Sequence, residues 1–283
     1  MRETLCSIDY GLTFRRDWTL AKIPGRRFNT SNLFDLTGKT AIVVGGAGGI
    51  GGAQALALAE AGADVVVASR KLEHLEPVVK EIQARGRKSM AVAVEVTDEK
   101  SVAAMVDSVV KKFPRIDILV NAHGLAIRRP ADAFPIDEWQ KVMDINTRGT
   151  FLCCQAVGRV MIKQRSGKII NVSSVRGRYG LPADYAAYCA SKGAVDSLTR
   201  TLACEWAKYN VLVNAVAPTV VETDLTRPAL ANPQFAQQMK SRIPLGRWAM
   251  PQDIVGATIF FASKASDFIT GQILYIDGGV TTW

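Results

Sequence analysis

From residue 40 onward, short runs of nearly unbroken apolar residues alternate with longer stretches whose apolar positions recur at helical spacing. The runs TAIVV (40–44), DVVVA (64–68), MAVAV (90–94), IDILVNA (116–122), KIINVSS (168–174), VLVNAVA (211–217) and ILYID (273–277) are rich in β-branched residues. Strands covered on both faces read this way, because neither face meets water. Between the first two runs, Ile50, Ala53, Ala57 and Ala61 fall on one side of a helix. Strand–helix alternation predicts an α/β fold, a doubly wound parallel sheet with helices on both faces. Open sheets of this kind bind ligands beyond the carboxyl ends of their strands, so the chemistry is expected just after each run. Residues 1–32 lack this periodicity and are expected to form an N-terminal extension, loose or packed on a neighbouring subunit, ahead of one domain over 33–283.

Composition narrows the possibilities. The chain has 283 residues and a net charge of +9, enough length for a sizeable core. Its cations are scattered, and even in the leader Arg2, Arg15, Arg16, Lys22, Arg26 and Arg27 are interrupted by Glu3, Asp9 and Asp17. That is a solvated surface or a preference for small anions, and no motif points to nucleic acid. No apolar run has the length of a membrane span or of a signal peptide, so a cytoplasmic protein with no membrane partner is expected. Cys6, Cys153, Cys154, Cys189 and Cys204 are odd in number and form no C-x-x-C pair, which argues against disulfides and against a metal site. Cys153 and Cys154 lie in an apolar segment and read as small core residues.

After the first strand comes GGAGGIGG, with Gly45, Gly49 and Gly51 spaced G-x-x-x-G-x-G. Glycines also make plain turns, but this set follows a strand, opens a helix and precedes a second strand. Such a turn lets the backbone approach a pyrophosphate, which rests on the helix N-terminus. The second strand ends in Ser69 and Arg70 where an acidic residue would select NAD. A hydroxyl and a guanidinium suit a 2′-phosphate instead, so NADP(H) is expected to be preferred over NAD(H).

Further along stand NAHG (121–124), Asn146 in DINTRG, NVSS (171–174), YCASK (188–192), VNAVAP (213–218) and TGQILYIDGG (270–279). In this order and company they resemble the short-chain dehydrogenase/reductase family over about residues 33–283. The resemblance implies a Rossmann fold and a cofactor cleft lined by Gly45, Gly48, Gly49, Ile50, Gly51, Val96, Asn121, Gly124, Pro218 and Thr223. It also implies hydride transfer between a nicotinamide and an alcohol or carbonyl carbon, with Asn146, Ser174, Tyr188 and Lys192 as the catalytic set. Asn146 would hold a water in the proton relay, Lys192 the nicotinamide ribose, and Thr223 the nicotinamide carboxamide. Two departures stand out: Val44 replaces the usual threonine before the first glycine, and Ala122 and His123 replace Asn and Ala in the common NNAG.

Two tyrosines compete for the central role. Tyr188 and Lys192 are four apart and so are neighbours on one helical face, whereas Tyr185 is seven from Lys192, about 10 Å along the axis. An adjacent ammonium, joined by the positive nicotinamide of the oxidised cofactor, is expected to lower the pKa of Tyr188 from near 10 and fit it for acid–base work. Ser174 would hydrogen-bond the substrate oxygen. It lies 14 positions ahead of Tyr188, about one more than the family usually has, so either the loop carries an extra residue or Ser173 competes. The strand context favours Ser174.

Substrate choice is less legible. His123, Arg128, Arg129, Arg176 and Tyr185 lie on loops or turns where a substrate would sit, and arginines suit a carboxylate or phosphate. Any of them could equally be solvated or packed. The segments RRP…FPIDEW and RW…PQDIVGATIFFASKASDFITGQILYIDGG resemble the gluconate 5-dehydrogenase branch, implying a sugar acid or related polyol. The neighbouring branch is that of the 3-oxoacyl-carrier-protein reductases, and a dinucleotide-binding sensor or scaffold is the non-enzymatic alternative. Residues 218–243 read as a lid over the substrate. Helices around 137–165 and 183–208 resemble the family's subunit-pairing helices, implying a homotetramer.

Overall fold

The computed structural model describes residues 32–180, 184–224 and 226–282. Seven parallel strands form one sheet in the order β3-β2-β1-β4-β5-β6-β7. They are β1 (Thr40–Val44), β2 (Asp64–Ser69), β3 (Ser89–Ala93), β4 (Ile118–Asn121), β5 (Gly167–Val172), β6 (Val211–Pro218) and β7 (Ile273–Ile276). Each predicted strand is present, with ends shifted by a residue or two. The strand order reverses between β1 and β4, and the crevice beyond their carboxyl ends is where such a sheet takes a ligand.

Alternation along each strand divides the apolar residues between two cores. On β1, Ile42 and Val44 join the side covered by α3 (Glu99–Lys112), α5 (Gly149–Gln164) and α6 (Ala186–Trp206). Ala41 and Val43 join the side covered by α1 (Gly49–Glu60), α2 (Glu76–Ala84) and α9 (Pro251–Ala262). This two-sided burial is why the strands read as unbroken apolar runs. Helix α1 differs from the expected face. Of Ile50, Ala53, Ala57 and Ala61 only Ala57 is buried, and Gly51, Gln54, Ala55, Leu58 and Ala59 are buried around it. The helix lies between the sheet and α9, where Gln54 donates to Thr258 Oγ1 at 2.8 Å, so burial extends beyond a single stripe.

The long helix expected over 137–165 is interrupted. Helix α4 (Ile136–Met143) runs into a π-helical turn at Asp144–Arg148 before α5 begins. The lid segment holds two short helices, α7 (Arg227–Leu230) and α8 (Pro233–Ser241). No described helix is long and apolar enough to cross a membrane. The N-terminal extension and Cys6 lie outside the described residues.

Candidate active site

The cleft starts at the glycine turn. Gly45 has φ +85°, and a Cβ there would lie 2.6 Å from the His123 backbone nitrogen. A Cβ on Gly51 would collide with the Gly45 carbonyl. The chain after β4 therefore passes directly against the turn, which only glycine permits. Where Val44 lacks the family's hydroxyl, the turn is held by backbone: the Gly45 and Gly46 N–H groups both reach the Ala68 carbonyl, at 2.7 and 3.3 Å. A side chain at Gly48 would meet nothing within 4 Å, so the outer face of the turn is open at the start of α1. An unblocked helix N-terminus beside a side-chain-free turn fits a pyrophosphate.

Beyond β2 lies a cavity of about 400 Å³ lined by Ala47, Ser69, Arg70, Lys71 and His74. Ser69 and Arg70 were legible in the sequence; Lys71 and His74 were missed, although the basic cluster in SRKLEH directly after a strand was a usable signal. No carboxylate lines the cavity, and Arg70 makes no ion pair among the described residues. Lys71 has only a loose one, 3.8 Å to Glu73.

Four residues expected at the reacting end converge. Lys192 Nζ stands 5.6 Å from the centre of the Tyr188 ring, as their spacing on α6 requires. The Tyr188 hydroxyl lies near enough to Ser174 for that side chain to pull its pKa down. Ser174 Oγ accepts the Arg176 N–H at 3.2 Å and points at the Pro218 carbonyl, 3.4 Å away. Ser173 is spent elsewhere, donating to the Asp196 carboxylate beneath the site. Asn146 is fully buried within the π-helical turn, a distortion that recurs at functional sites. Its side chain is fully committed, accepting from the Leu125 N–H at 2.7 Å and donating to the Leu125 carbonyl and to Ser191 Oγ. Its own carbonyl accepts from Thr150 Oγ1 at 2.7 Å.

In the protein alone, desolvation dominates the titration of Tyr188; the lowering expected of it also needs the nicotinamide charge. Burial pushes its pKa up to about 12, against the pull of the Ser174 hydrogen bond and the Arg176 charge. Lys192 Nζ lies over the ring and is bonded to the Val172 carbonyl at 2.8 Å. Burial also pushes Lys192 down to about 8, opposed by Asp196. His123 is pushed down to about 3 by burial and the Lys192 charge, so its imidazole is neutral. Its Nδ1 is buried without a hydrogen-bond partner, and Nε2 is 3.5 Å from Thr150 Oγ1.

Other residues read from the sequence are placed as follows. Asn121 turns its amide into the protein, donating to Asn171 at 2.9 Å and to Cys154 Sγ, and Asn171 continues the chain to Thr199. Val96 packs against Gly149 at the start of α5. Gly124 lies beside Asn146 and Lys192: a Cβ there would be 3.5 Å from Asn146 Oδ1 and 3.6 Å from Lys192 Nζ. Thr223 sits over Gly49, with its methyl 3.3 Å from where a Cβ would be, so the lid segment reaches the glycine turn. Tyr185 packs 6.0 Å from Tyr188, and the Arg128 guanidinium stacks on its ring at 5.1 Å. Arg129 is held by Glu138 at 2.9 Å. Cys153 and Cys154 are buried, and burial pushes both thiols up, Cys154 to about 12, so neither is a nucleophile at neutral pH.

Comparison with known proteins matches this geometry. The family profile described as enoyl-(acyl carrier protein) reductase matches residues 45–281. The NAD-dependent glycerol dehydrogenase of Listeria innocua is 40% identical over 248 residues, 88% of this chain and 96% of that protein. The gluconate 5-dehydrogenase of Gluconobacter oxydans is 37% identical over 250 residues, 88% of this chain and 97% of that one. A crystal structure of a gluconate 5-dehydrogenase from Burkholderia cenocepacia, in complex with NADP and tartrate, superposes with a TM-score of 0.86. It shares 38% identity and covers 89% of this chain and 98% of its own. A sheet that reverses at a glycine turn, with Tyr188 and Lys192 beyond it, thus occurs in a chain that belongs to the short-chain dehydrogenase/reductase family, oxidoreductases acting on alcohol and carbonyl groups.

Proposed function

We propose that this protein is an NADP(H)-dependent oxidoreductase interconverting an alcohol and a ketone on a sugar acid or related polyol, in the manner of a gluconate 5-dehydrogenase. One observation carries the reading: the Tyr188 hydroxyl, Ser174 and Lys192 meet at the carboxyl end of the sheet, next to a glycine turn shaped for a dinucleotide. The bound dinucleotide would exchange the hydride with the substrate carbon. The chain's own residues hold and move the proton. Ser174 positions the substrate oxygen. Tyr188 donates its proton to that oxygen during reduction; in oxidation its tyrosinate, favoured by the Lys192 ammonium and by the positive nicotinamide of a bound oxidised cofactor, would take the proton back. Lys192, poised near 8, exchanges protons close to neutrality. The Asn146 backbone carbonyl, in the π-helical turn, would be a place for the water that continues the relay.

The cavity formed by Ser69, Arg70, Lys71 and His74 supports NADP(H) over NAD(H), since a 2′-phosphate would meet cations and no carboxylate. The relatives include both an NAD-dependent enzyme and an NADP complex, so the lining of this cavity is the basis for the choice. Exposed apolar side chains on α5 (Phe151) and β7 (Leu274) support assembly, proposed here as a homotetramer in the cytoplasm. The test is steady-state kinetics with NADP+ and NAD+ on sugar acids and polyols, and in reverse on ketoacids and acyl thioesters. Tyr188→Phe should keep NADPH affinity within about threefold while turnover falls on the order of 10³-fold. Turnover of thioesters alone would move the protein to the carrier-protein reductases. A fully active Tyr188→Phe would overturn the mechanism.

A further inference from the structure

The proposed function leaves open whether the alcohol is neutral or carries a carboxylate. We infer that Arg176 is the anion anchor of the substrate site, and that the enzyme takes a hydroxy acid or its keto form in preference to a neutral polyol of equal length. The inference rests on the reading of Tyr188 and Ser174 given above.

Arg176 stands two residues after Ser174, in the short helical turn Val175–Gly177. Its own N–H donates to Ser174 Oγ at 3.2 Å, which fixes it beside the group assigned to the substrate oxygen. The guanidinium lies over the Tyr179 ring at 5.1 Å. Its Nη1 is buried and has no hydrogen-bond partner. A guanidinium cannot shed its proton, so a buried N–H left bare is a standing cost unless a ligand oxygen meets it.

Five of the other arginines give the contrast. Arg85, Arg115, Arg129, Arg227 and Arg247 are each paired with a carboxylate at 3.0 Å or less. Arg176 has no carboxylate partner among the described residues, and Arg178 in the same loop stacks on Tyr275. Arg176 also faces the reacting end, since its charge acts on Tyr188 and on Cys189. An unneutralised planar fork beside the proton donor matches a carboxylate in two parallel hydrogen bonds. A hydroxymethyl group would leave the charge unmatched.

D-gluconate and D-glucitol form a suitable pair of probes, because they differ only in the carboxylate against a hydroxymethyl at C1. NADP+-dependent oxidation of both is measured with the wild type, Arg176→Ala and Arg176→Lys. Binding of both to the cofactor-bound enzyme is followed by calorimetry, which reads the anchor even for a probe that reacts slowly. The wild type should bind gluconate more tightly than glucitol. Arg176→Ala should weaken gluconate binding and raise its KM by roughly 10- to 100-fold, with glucitol changed less than about threefold. Arg176→Lys, keeping the charge without the fork, should fall between. Equal losses on both probes would make Arg176 a support for the Ser174 loop and overturn the inference. So would a wild type that does not bind gluconate, or binds it no better than glucitol. Failure of the underlying reading looks different: Tyr188→Phe would then retain turnover whatever the state of residue 176.

Discussion

The two ends of the sheet handle charge in opposite ways. At the amino end a cavity of about 250 Å³ is lined by Asp35, Lys39, Asp117, Lys168, Lys264 and Asp267 among others. Its charges cancel locally. Asp117 accepts from the Thr40 N–H at 3.0 Å and from Arg115 at 2.6 Å, with Lys39 at 3.4 Å, and Lys168 meets Asp267 at 2.8 Å. At the carboxyl end Arg70 and Arg176 have no carboxylate partner among the described residues, and Lys192 is bonded to a carbonyl. Cations matched by acids at one end hold strand starts in place. Cations left unmatched at the other create a field for anionic ligands.

Exchanging charges at each end tests that contrast. The largest effect is expected for Lys192→Met, which should lower turnover at least about 10²-fold. It should not lower thermal stability at neutral pH, because the buried ammonium is held below its ordinary pKa. The sign follows from that: the unfolded chain keeps the Lys192 proton up to about 10.5 and the folded one only to about 8. This group therefore makes the wild type more stable as pH rises through that window. Melting curves from pH 7 to 10 should show the variant's advantage shrinking with pH; an advantage that grows would contradict the burial argument.

Next in size is Arg70→Glu, which should raise the KM for NADP+ by roughly 10- to 100-fold and leave that for NAD+ unchanged or improved. Parallel losses with both cofactors would remove the 2′-phosphate assignment. The smallest functional effect is expected at the opposite end. Asp117→Asn should cost about 1–2 kcal/mol of stability, since it weakens bonds to Thr40, Lys39 and Arg115 whose cationic partners are partly exposed. Its kcat/KM should stay within about twofold of the wild type, measured beside its urea midpoint. A large kinetic change there would break the division between the two ends.

Much of the framework was legible because it is written locally. Alternation and β-branching marked the strands, and the four-residue interval from Tyr188 to Lys192 put the two groups on one helical face. The buried face of α1 was misjudged because α9, some two hundred residues away, covers it as well. Arg129 looked as available as Arg128, yet Glu138 on the following helix takes it. The Asn121 amide donates to Asn171, which in turn donates to Thr199 inside the protein. None of these partners can be read from spacing.

The sequence by itself determined the alternation of strands and helices, the side-chain-free turn after β1 and the helical pairing of Tyr188 with Lys192. Each is a short-range consequence of residue size, branching or interval. The tertiary structure alone decided that Ser173 serves Asp196 while Ser174 meets Tyr188, and that one guanidinium N–H at Arg176 stays bare. It also decided the direction of the Tyr188 pKa. In the protein alone that direction depends on desolvation, a sum over everything packed around the ring, which no interval in the sequence shows.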